Sequence, residues 1–87
     1  MIERRVMIRN ALGLHARAAA RFVSLAGTFA SLIKVTRAAR TVDGKSILGL
    51  LLLAAAQGTE IAIAADGADA EAAADALAAL VERGFDE

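Results

Sequence analysis

Residues 10–27 read NALGLHARAAARFVSLAG and join a loop to an amphipathic helix. Asn10 and Gly13 are typical of a loop. The apolar side chains that follow recur at the spacing of one helix face: Ala19, Phe22, Val23 and Ala26. Gly27 stands where glycine commonly follows a helix end. We therefore predict a helix over 16–26, with His15 at its start.

The segments on either side of this helix carry strand patterns. Apolar and charged residues partly alternate over 2–8, which predicts a first strand. After the helix, every second residue is apolar or small, which predicts a second strand: Phe29, Ser31, Ile33 and Val35. A turn near Ala38 and Ala39 then returns the chain as a short third strand over 41–43, so the two strands form a hairpin.

The second half predicts two helices separated by one strand. Ser46 is a natural N-cap for a short helix carrying Ile47, Leu48, Leu50 and Leu51, which we expect to end at Gln57 and Gly58. Residues 60–65 alternate as a fourth strand, and Asp66 and Gly67 turn the chain. Asp69 is expected to cap a last helix that ends near Gly84. Its inner face comprises Ala70, Ala73, Leu77, Leu80 and Val81.

This order of elements predicts an α+β fold. Helices grouped on one face of a four-stranded, mainly antiparallel sheet would bury the one-sided apolar patterns. The pattern does not determine the order of the strands within the sheet.

Length and composition exclude several classes of protein. The 87 residues suffice for one domain, expected over 1–87, and the absence of Cys excludes disulfides and thiolate metal sites. The longest apolar run, residues 47–56, is interrupted by Gly49 and falls short of the roughly 20 residues that span a bilayer. We expect a cytoplasmic protein with no membrane insertion.

The zero net charge conceals an asymmetry along the chain. Residues 1–45 hold nine Lys/Arg and two Asp/Glu, a net +7, whereas residues 46–87 hold one and eight, a net −7. Such a division can orient a charged partner, although ordinary solvated faces explain it equally well. With no Trp or Tyr and three Phe, the chain is poorly equipped to stack on nucleic-acid bases.

The single histidine, His15, is the residue best placed for chemistry. A lone His near a helix start is usually a solvated polar side chain. Here, however, the first turn of the helix offers unpaired N–H groups and the positive end of a dipole, and Arg17 adds a forked cation. These surroundings favour an anion beside His15 and disfavour protonation of its ring, which leaves a neutral nitrogen able to accept a phosphoryl group. No second His, acidic cluster or Walker loop accompanies it, so we expect no metal or cofactor.

Two segments resemble those of the HPr family, the histidine-containing phosphocarrier proteins of the bacterial phosphoenolpyruvate-dependent phosphotransferase system. They are residues 10–17, NALGLHAR, and residues 43–50, DGKSILGL, at the family's separation. Phe22 and the spacing from Gln57 to Asp69 fit as well. The resemblance covers nearly the whole chain and implies an open-faced β-sandwich of βαββαβα order.

The resemblance also implies a relay. His15 would be phosphorylated on Nδ1 by Enzyme I, itself charged by phosphoenolpyruvate, and would pass the group to IIA-type proteins. Arg17 would stabilise the phosphate beside the backbone N–H groups of Ala16, Arg17 and Ala18. Partners would dock on a surface formed by Ala20, Arg21, Ile47, Leu48 and Leu51. Such a chain acts as a monomeric carrier rather than as a free-standing enzyme.

Ser46 matches the family's regulatory serine, which an HPr kinase/phosphorylase modifies in some lineages. Helix capping alone would also account for a serine at this position. The chain departs from the family at Ala18, where a proline is usual, and at Ser24, Gly27 and Gly49, where cations are frequent. These departures bear on how firmly the loop holds His15 and on which partners are preferred.

Three other interpretations remain open. The nearest is a carrier of the nitrogen-related branch of the same system, with a regulatory output. A small α+β RNA-binding module would fit the basic first half, although aromatic residues are lacking on its strands. A regulatory adaptor in which His15 is incidental is the third.

Overall fold

The computed structural model describes residues 1–87 and contains the predicted series of strands and helices. The strands are β1 (Ile2–Met7), β2 (Leu32–Arg37), β3 (Arg40–Asp43) and β4 (Glu60–Asp66). The helices are α1 (Ala16–Ala26), α2 (Ile47–Leu53) and α3 (Ala70–Glu82), followed by a 3₁₀ turn over Gly84–Asp86. The βαββαβα order and the α+β class predicted from the sequence are confirmed.

The four strands form one antiparallel sheet in the order β1-β4-β2-β3. The last strand in the sequence therefore lies in the middle, where Ile63 is opposite Arg4 on β1 and Val35 on β2. Because β1, β2 and β4 alternate between more and less buried residues, one face of the sheet carries the apolar side chains. The three helices cover that face, and the opposite face is open.

One apolar core lies between the sheet and the helices. Its largest wholly buried side chains include Phe22 of α1, Leu77 of α3 and Phe85, which follows α3. The helix α3 packs on β1 and β4, while α1 packs against both α2 and α3. This arrangement brings the start of α1, the end of α3 and the length of α2 to one side of the molecule.

The helix starts agree with the sequence, but the predicted end of α2 is wrong. His15 and Ser46 are the N-caps of α1 and α2, and the Ser46 hydroxyl accepts the Gly49 N–H at 3.0 Å. The helix α2 ends at Leu53 rather than at Gln57 and Gly58, because Ala54 adopts a left-handed conformation with φ 52°. The residues after Ala54 form a loop that supports the functional site.

Two predictions at the other end of the molecule also need correction. The second strand begins at Leu32 rather than at Phe29, and Asp69 does not cap α3 with its side chain. Instead, the Asp69 carboxylate accepts hydrogen bonds from the Ala30 N–H at 2.8 Å, the Ser31 N–H at 3.0 Å and the Ser31 hydroxyl at 2.5 Å. Because these N–H groups are bonded to Asp69, this segment lies outside the sheet and is fastened to the start of α3.

The Asp69 contact predicts a stability difference that depends on pH. The hydrogen bond from the Ser31 hydroxyl, followed by the one from the Ala30 N–H, holds the pKa of the Asp69 carboxyl below its usual value. A lowered folded-state pKa gives stabilisation that is present above the unfolded pKa of about 3.9 and is lost as the pH falls through the folded-state value. The melting temperature of Asp69→Asn should therefore lie below that of the wild type near neutral pH, and the gap should close on acidification below about pH 4.

Glu71→Gln is the matched control, because Glu71 lies exposed in the same first turn of α3 without a hydrogen-bond partner. Glu71→Gln removes a carboxylate near the same helix start but leaves the contact between Asp69 and Ser31 intact. A gap for Asp69→Asn that stays constant down to pH 3, or one that Glu71→Gln reproduces, would contradict the proposed origin of the effect.

The oppositely charged halves of the chain interleave after folding. Arg4 pairs with Asp75 of α3 at 2.9 Å, and Arg5 lies 3.5 Å from Glu60 of β4. Both contacts join the basic first half to the acidic second half. The sequence asymmetry is therefore partly neutralised within the fold. None of the helices combines the length and the apolar character needed to cross a bilayer.

Candidate functional site

His15 occupies the N-cap of α1, in an extended conformation that turns its ring back toward the first helical turn. Its Nδ1 accepts the backbone N–H of Arg17 at 3.3 Å, while its carbonyl accepts the Ala19 N–H at 2.8 Å. The side chain is 25% exposed. The ring is thus held at the helix start, with one edge against the helix N–H groups.

The loop that carries His15 is fixed against the residues that follow α2. Leu14 donates its N–H to the Ala55 carbonyl at 2.9 Å. Gly13 has φ 64°, and a Cβ at this position would lie 2.6 Å from that same carbonyl oxygen. Only glycine combines this backbone conformation with such a close approach. The early end of α2 and the glycine in the loop together place His15 beside α2.

The other ring nitrogen of His15 contacts the last residue of the chain. A carboxylate oxygen of Glu87 is bonded to Nε2, and the second oxygen accepts the side-chain amide of Asn10 at 2.8 Å. The same amide also donates to the Gly13 carbonyl at 2.7 Å. Asn10 therefore links the His15 loop to Glu87. The sequence interpretation omitted Glu87, and it placed only positive groups around the ring.

These two contacts assign the protons of a neutral His15 ring. Nδ1 accepts a hydrogen bond, so it carries the lone pair, and Nε2 carries the proton that it donates to Glu87. The tautomer follows from the hydrogen-bond partners. An unprotonated Nδ1 is the form that can act as a nucleophile.

The chain end is held in place by the residues after α3. Gly84, Phe85 and Asp86 all have positive φ, at 70°, 58° and 62°, which reverses the chain toward His15. Phe85 is wholly buried, and its carbonyl accepts the Arg21 guanidinium at 2.5 Å. The hydrogen bond from Asn10, followed by the contact with His15, keeps the pKa of the Glu87 carboxyl below its usual range despite partial burial. Glu87 is accordingly ionised at neutral pH.

Donors for an anion remain free beside Nδ1. The exposed Ala16 has a backbone N–H that makes no hydrogen bond within the protein, as expected in the first turn of a helix. The N–H of Ala18 is also unpaired, but Ala18 is wholly buried, so the structure does not present it to an anion as the sequence predicted. Arg17 is exposed, and its guanidinium has no partner within the protein. It lines an open depression of about 590 Å³ together with Asn10, Ala11, Leu12, Arg21, Asp86 and Glu87. The free N–H of Ala16, the guanidinium of Arg17 and the positive helix end favour an anion beside Nδ1. The depression itself does not include His15, and the carboxylates of Asp86 and Glu87 line part of it.

The residues expected to contact partners are exposed, except for Arg21. Ala20 faces solvent on α1, and on α2 the exposed fractions are 42% for Ile47, 68% for Leu48 and 37% for Leu51. Arg21 is partly buried, because it bonds to Phe85. Arg21 therefore holds the chain end rather than standing free as a surface cation. No group of three or more His, Cys, Asp or Glu side chains is arranged to hold a metal ion.

Comparison with known protein families shows to which family this chain belongs. A family model described as the PTS HPr component phosphorylation site matches residues 2–83. The chain belongs to the HPr family. It is a phosphocarrier protein of the phosphotransferase system, and the HPr family resemblance found in the sequence is confirmed.

Other HPr-family proteins resemble this chain over its whole length. The phosphocarrier protein HPr of Cupriavidus necator is 47% identical over 87 residues, covering 100% of this chain and 98% of that protein. The phosphocarrier protein NPr of Shewanella violacea is 44% identical, covering 99% and 94%. The crystal structure of HPr-C-His from Thermoanaerobacter tengcongensis superimposes with a TM-score of 0.96 at 42% identity, covering 100% and 98%.

Proposed function

We propose that Nδ1 of His15 accepts a phosphoryl group from Enzyme I, charged by phosphoenolpyruvate, and passes it to IIA-type proteins. The observation that supports this most directly is the lone pair of Nδ1 at the start of α1, next to the free N–H of Ala16 and the unpaired Arg17. The 87 residues act as one monomeric carrier domain in the cytoplasm. The carrier takes part stoichiometrically, and its partners supply the remaining catalytic groups.

The hydrogen-bond pattern explains how the site would accept the group. As the bond from Nδ1 to phosphorus forms, the bond from phosphorus to the donor breaks, and the lone pair can no longer accept the Arg17 N–H. That N–H then becomes available to the phosphoryl oxygens, together with the N–H of Ala16. Transfer on to the acceptor reverses these changes.

The charges around the ring have separate roles. The Nε2 proton remains bonded to Glu87 while the other nitrogen reacts, so the carboxylate stabilises the positive charge that develops on the ring. Arg17 and the helix end stabilise the negative charge on the phosphoryl oxygens.

The direct test is incubation with Enzyme I and phosphoenolpyruvate labelled in its phosphoryl group. Label should appear on the carrier, should be released by acid as expected for a phosphohistidine, and should move to an added IIA protein. Absence of label in the presence of active Enzyme I would contradict the proposal. Label that survives acid would place the group on a residue other than His15.

Phosphorylation of Ser46 by an HPr kinase/phosphorylase is the second part of the proposal. The Ser46 hydroxyl caps α2 and lies directly before the exposed Ile47 and Leu48. A phosphate there would favour the helix start but would add about two negative charges beside the apolar docking residues. The label introduced by a kinase and ATP should be stable to acid, unlike that on His15.

Ser46→Asp should slow the charging of His15 by Enzyme I. Aspartate retains an N-cap oxygen, so the helix should persist while a negative charge is introduced. Ser46→Asn is the matched control, because it caps the helix without that charge. We expect charging at least several-fold slower for Ser46→Asp alone, measured as initial rates of labelling. Equal rates for the two variants would remove the regulatory role assigned to this charge.

The NPr of Shewanella violacea supports a second candidate role in the nitrogen-related branch. Both roles use the same His15 chemistry and differ in the proteins that donate and accept the group. Supplying the labelled carrier with a sugar-specific IIA protein and, separately, with a nitrogen-branch IIA protein distinguishes them. Faster transfer to one acceptor identifies the branch.

A further inference from the structure

Asn10 is a buried polar side chain that the phosphoryl relay leaves without a role. It is 9% exposed and lies between the His15 loop and the turn that follows α3. On one side, the Asn10 carbonyl accepts the Gly13 N–H at 3.1 Å. On the other side, a Cβ at Gly84 would lie 3.6 Å from the Asn10 Cβ, within ordinary contact distance. Asn10 therefore joins the two segments that meet at His15.

The hydrogen bonds of Asn10 determine how its side-chain amide is oriented. Its Nδ2 donates to the Gly13 carbonyl at 2.7 Å and to a Glu87 carboxylate oxygen at 2.8 Å. A carbonyl and an ionised carboxylate can only accept, so the amide nitrogen rather than the oxygen faces them. The Asn10 Oδ1 is buried and has no partner within the protein. Because an unmet buried acceptor is unfavourable, the two N–H donors are what asparagine contributes at this position.

Asn10 also holds the carboxylate of Glu87 in a fixed direction. One carboxylate oxygen accepts the Asn10 amide, and the other is bonded to Nε2 of His15. The bond from Asn10 is the largest influence that keeps the pKa of the Glu87 carboxyl below its usual range, so the group stays ionised. Without Asn10, His15 would be the only side chain bonded to this carboxylate. The carboxylate could then turn toward water.

The direction of the Glu87 carboxylate affects the chemistry of the ring. As the bond from Nδ1 of His15 to phosphorus forms and the bond from phosphorus to the donor breaks, Nε2 keeps its proton and the ring gains positive charge. A carboxylate already fixed at Nε2 stabilises that charge without first having to reorganise. A carboxylate that turns freely in water provides less of this stabilisation, because it must be reoriented during the reaction.

We infer that Asn10 is a positioning residue for phosphoryl transfer, which sets the rate of charging of His15 by holding the Glu87 carboxylate on Nε2. The inference rests on the proposed function and adds to it the residue that orients the carboxylate. Because Asn10 is buried, a docked partner has little of it to contact. Asn10 therefore acts on the rate of transfer and not on the affinity for the phosphoryl donor.

The test uses Asn10→Asp, which keeps the size of the side chain and replaces the donating NH₂ with an acceptor. Single-turnover labelling by phosphorylated Enzyme I is followed over a range of carrier concentrations. We expect the maximal rate to fall about tenfold, as fits the loss of a hydrogen bond to a charged group. The carrier concentration that gives half of this rate should not change.

A second measurement on Asn10→Asp needs no Enzyme I. The pKa of the Glu87 carboxyl, followed by NMR of its carboxyl carbon, should rise because its main hydrogen-bond donor is lost. A purely structural role of Asn10 in the loop would leave this pKa lowered. An unchanged pKa would therefore contradict the inference.

Gln57→Ala is the matched control. The Gln57 Nε2 donates to the Arg9 carbonyl at 2.9 Å, so it holds the residue next to Asn10 without contacting Glu87. This variant should retain the maximal rate and the lowered pKa of Glu87. Glu87→Gln should be slowed as Asn10→Asp is, and it leaves the bond from Asn10 to Gly13 in place if Asn10→Asp fails to fold.

The exchange variant Asn10→Asp/Glu87→Gln separates the charge at Nε2 from the integrity of the contact. It restores one donor and one acceptor at these two positions, so it should melt above Asn10→Asp. Its charging should stay slow, because no carboxylate is bonded to Nε2. Recovery of the maximal rate together with the melting temperature would show a merely structural role and would overturn the inference.

The outcomes separate this inference from the function on which it rests. Failure of Enzyme I to label the wild type would overturn the proposed function and, with it, the role of Asn10 in transfer. Normal labelling of the wild type, with an unchanged maximal rate in Asn10→Asp and in Glu87→Gln, would overturn only the role of Asn10. An equal loss of rate in Gln57→Ala would show a general effect of loosening the loop and would also overturn it.

Discussion

His15→Ala should accept no label at all from Enzyme I and phosphoenolpyruvate, under conditions in which the wild type is charged to completion. The change removes the imidazole, and the chain has no other histidine that could replace it. Arg17 and the free N–H of Ala16 can hold an anion, but they cannot form the covalent bond. The measurement is the amount of acid-labile label per carrier molecule after prolonged incubation.

Loss of the N-cap has to be separated from loss of the nucleophile. His15 caps α1 through Nδ1, so alanine also weakens the helix start, typically by about 1 kcal/mol. His15→Asn supplies a good cap without a nucleophilic ring nitrogen. Both variants should be unlabelled. His15→Ala should lose more thermal stability than His15→Asn, because both lose the contact with Glu87 but only alanine also removes the N-cap. Acid-labile label on either variant would refute the assignment of His15 as the acceptor.

Local sequence signals were sufficient to place the reactive end of the molecule. The run from Asn10 to Gly27 contains a loop, a cap, an apolar face and a helix end within one short segment. The structure reproduces each of them, because helix boundaries depend mainly on neighbouring residues. Ser46 at the start of α2 was predictable for the same reason.

Contacts between distant parts of the chain were not predictable from these signals. Glu87 meets His15 across 72 positions, and Asp69 bonds to residues that lie 38 and 39 positions earlier. A carboxylate beside a helix start looks the same in the sequence whether or not it caps that helix. The sequence therefore predicts Asp69 as a cap, which is wrong, and gives no signal that singles out Glu87.

The end of α2 could not be predicted from the sequence for a different reason. Alanine favours helices, so the run from Ala54 to Ala56 offered no reason to stop at Leu53. In the folded protein, the carbonyl of Ala55 accepts the Leu14 N–H, and the guanidinium groups of Arg37 and Arg40 bond to the last helix carbonyls. Tertiary partners thus replace the next helical turn. Strand order likewise depends on contacts that the alternating pattern does not specify.

Phe85→Ala should lower the free energy of unfolding by about 3–5 kcal/mol. Phe85 is wholly buried, and its removal would leave a cavity in the core beside α1 and α3. Alanine keeps a Cβ at φ 58°, so the backbone strain of the left-handed conformation remains, and the loss reports the side chain. For a chain of this size the melting temperature should fall by more than roughly 10 °C. Thermal and urea unfolding measure the two quantities.

Phe29→Ala is the matched control, because Phe29 is only partly buried against the core and should lose clearly less stability. The two variants should also differ at the active site. Phe85 anchors the turn that brings Glu87 to Nε2, so in Phe85→Ala the ring should lose its preference for the proton on Nε2. Nitrogen chemical shifts of the His15 ring, recorded where the ring is neutral and the variant still folded, report that preference. Equal stability losses in Phe85→Ala and Phe29→Ala would show that Phe85 does not have the special role in the core assigned to it. Unchanged nitrogen chemical shifts of the His15 ring in Phe85→Ala would show that the turn at Phe85 does not orient the ring.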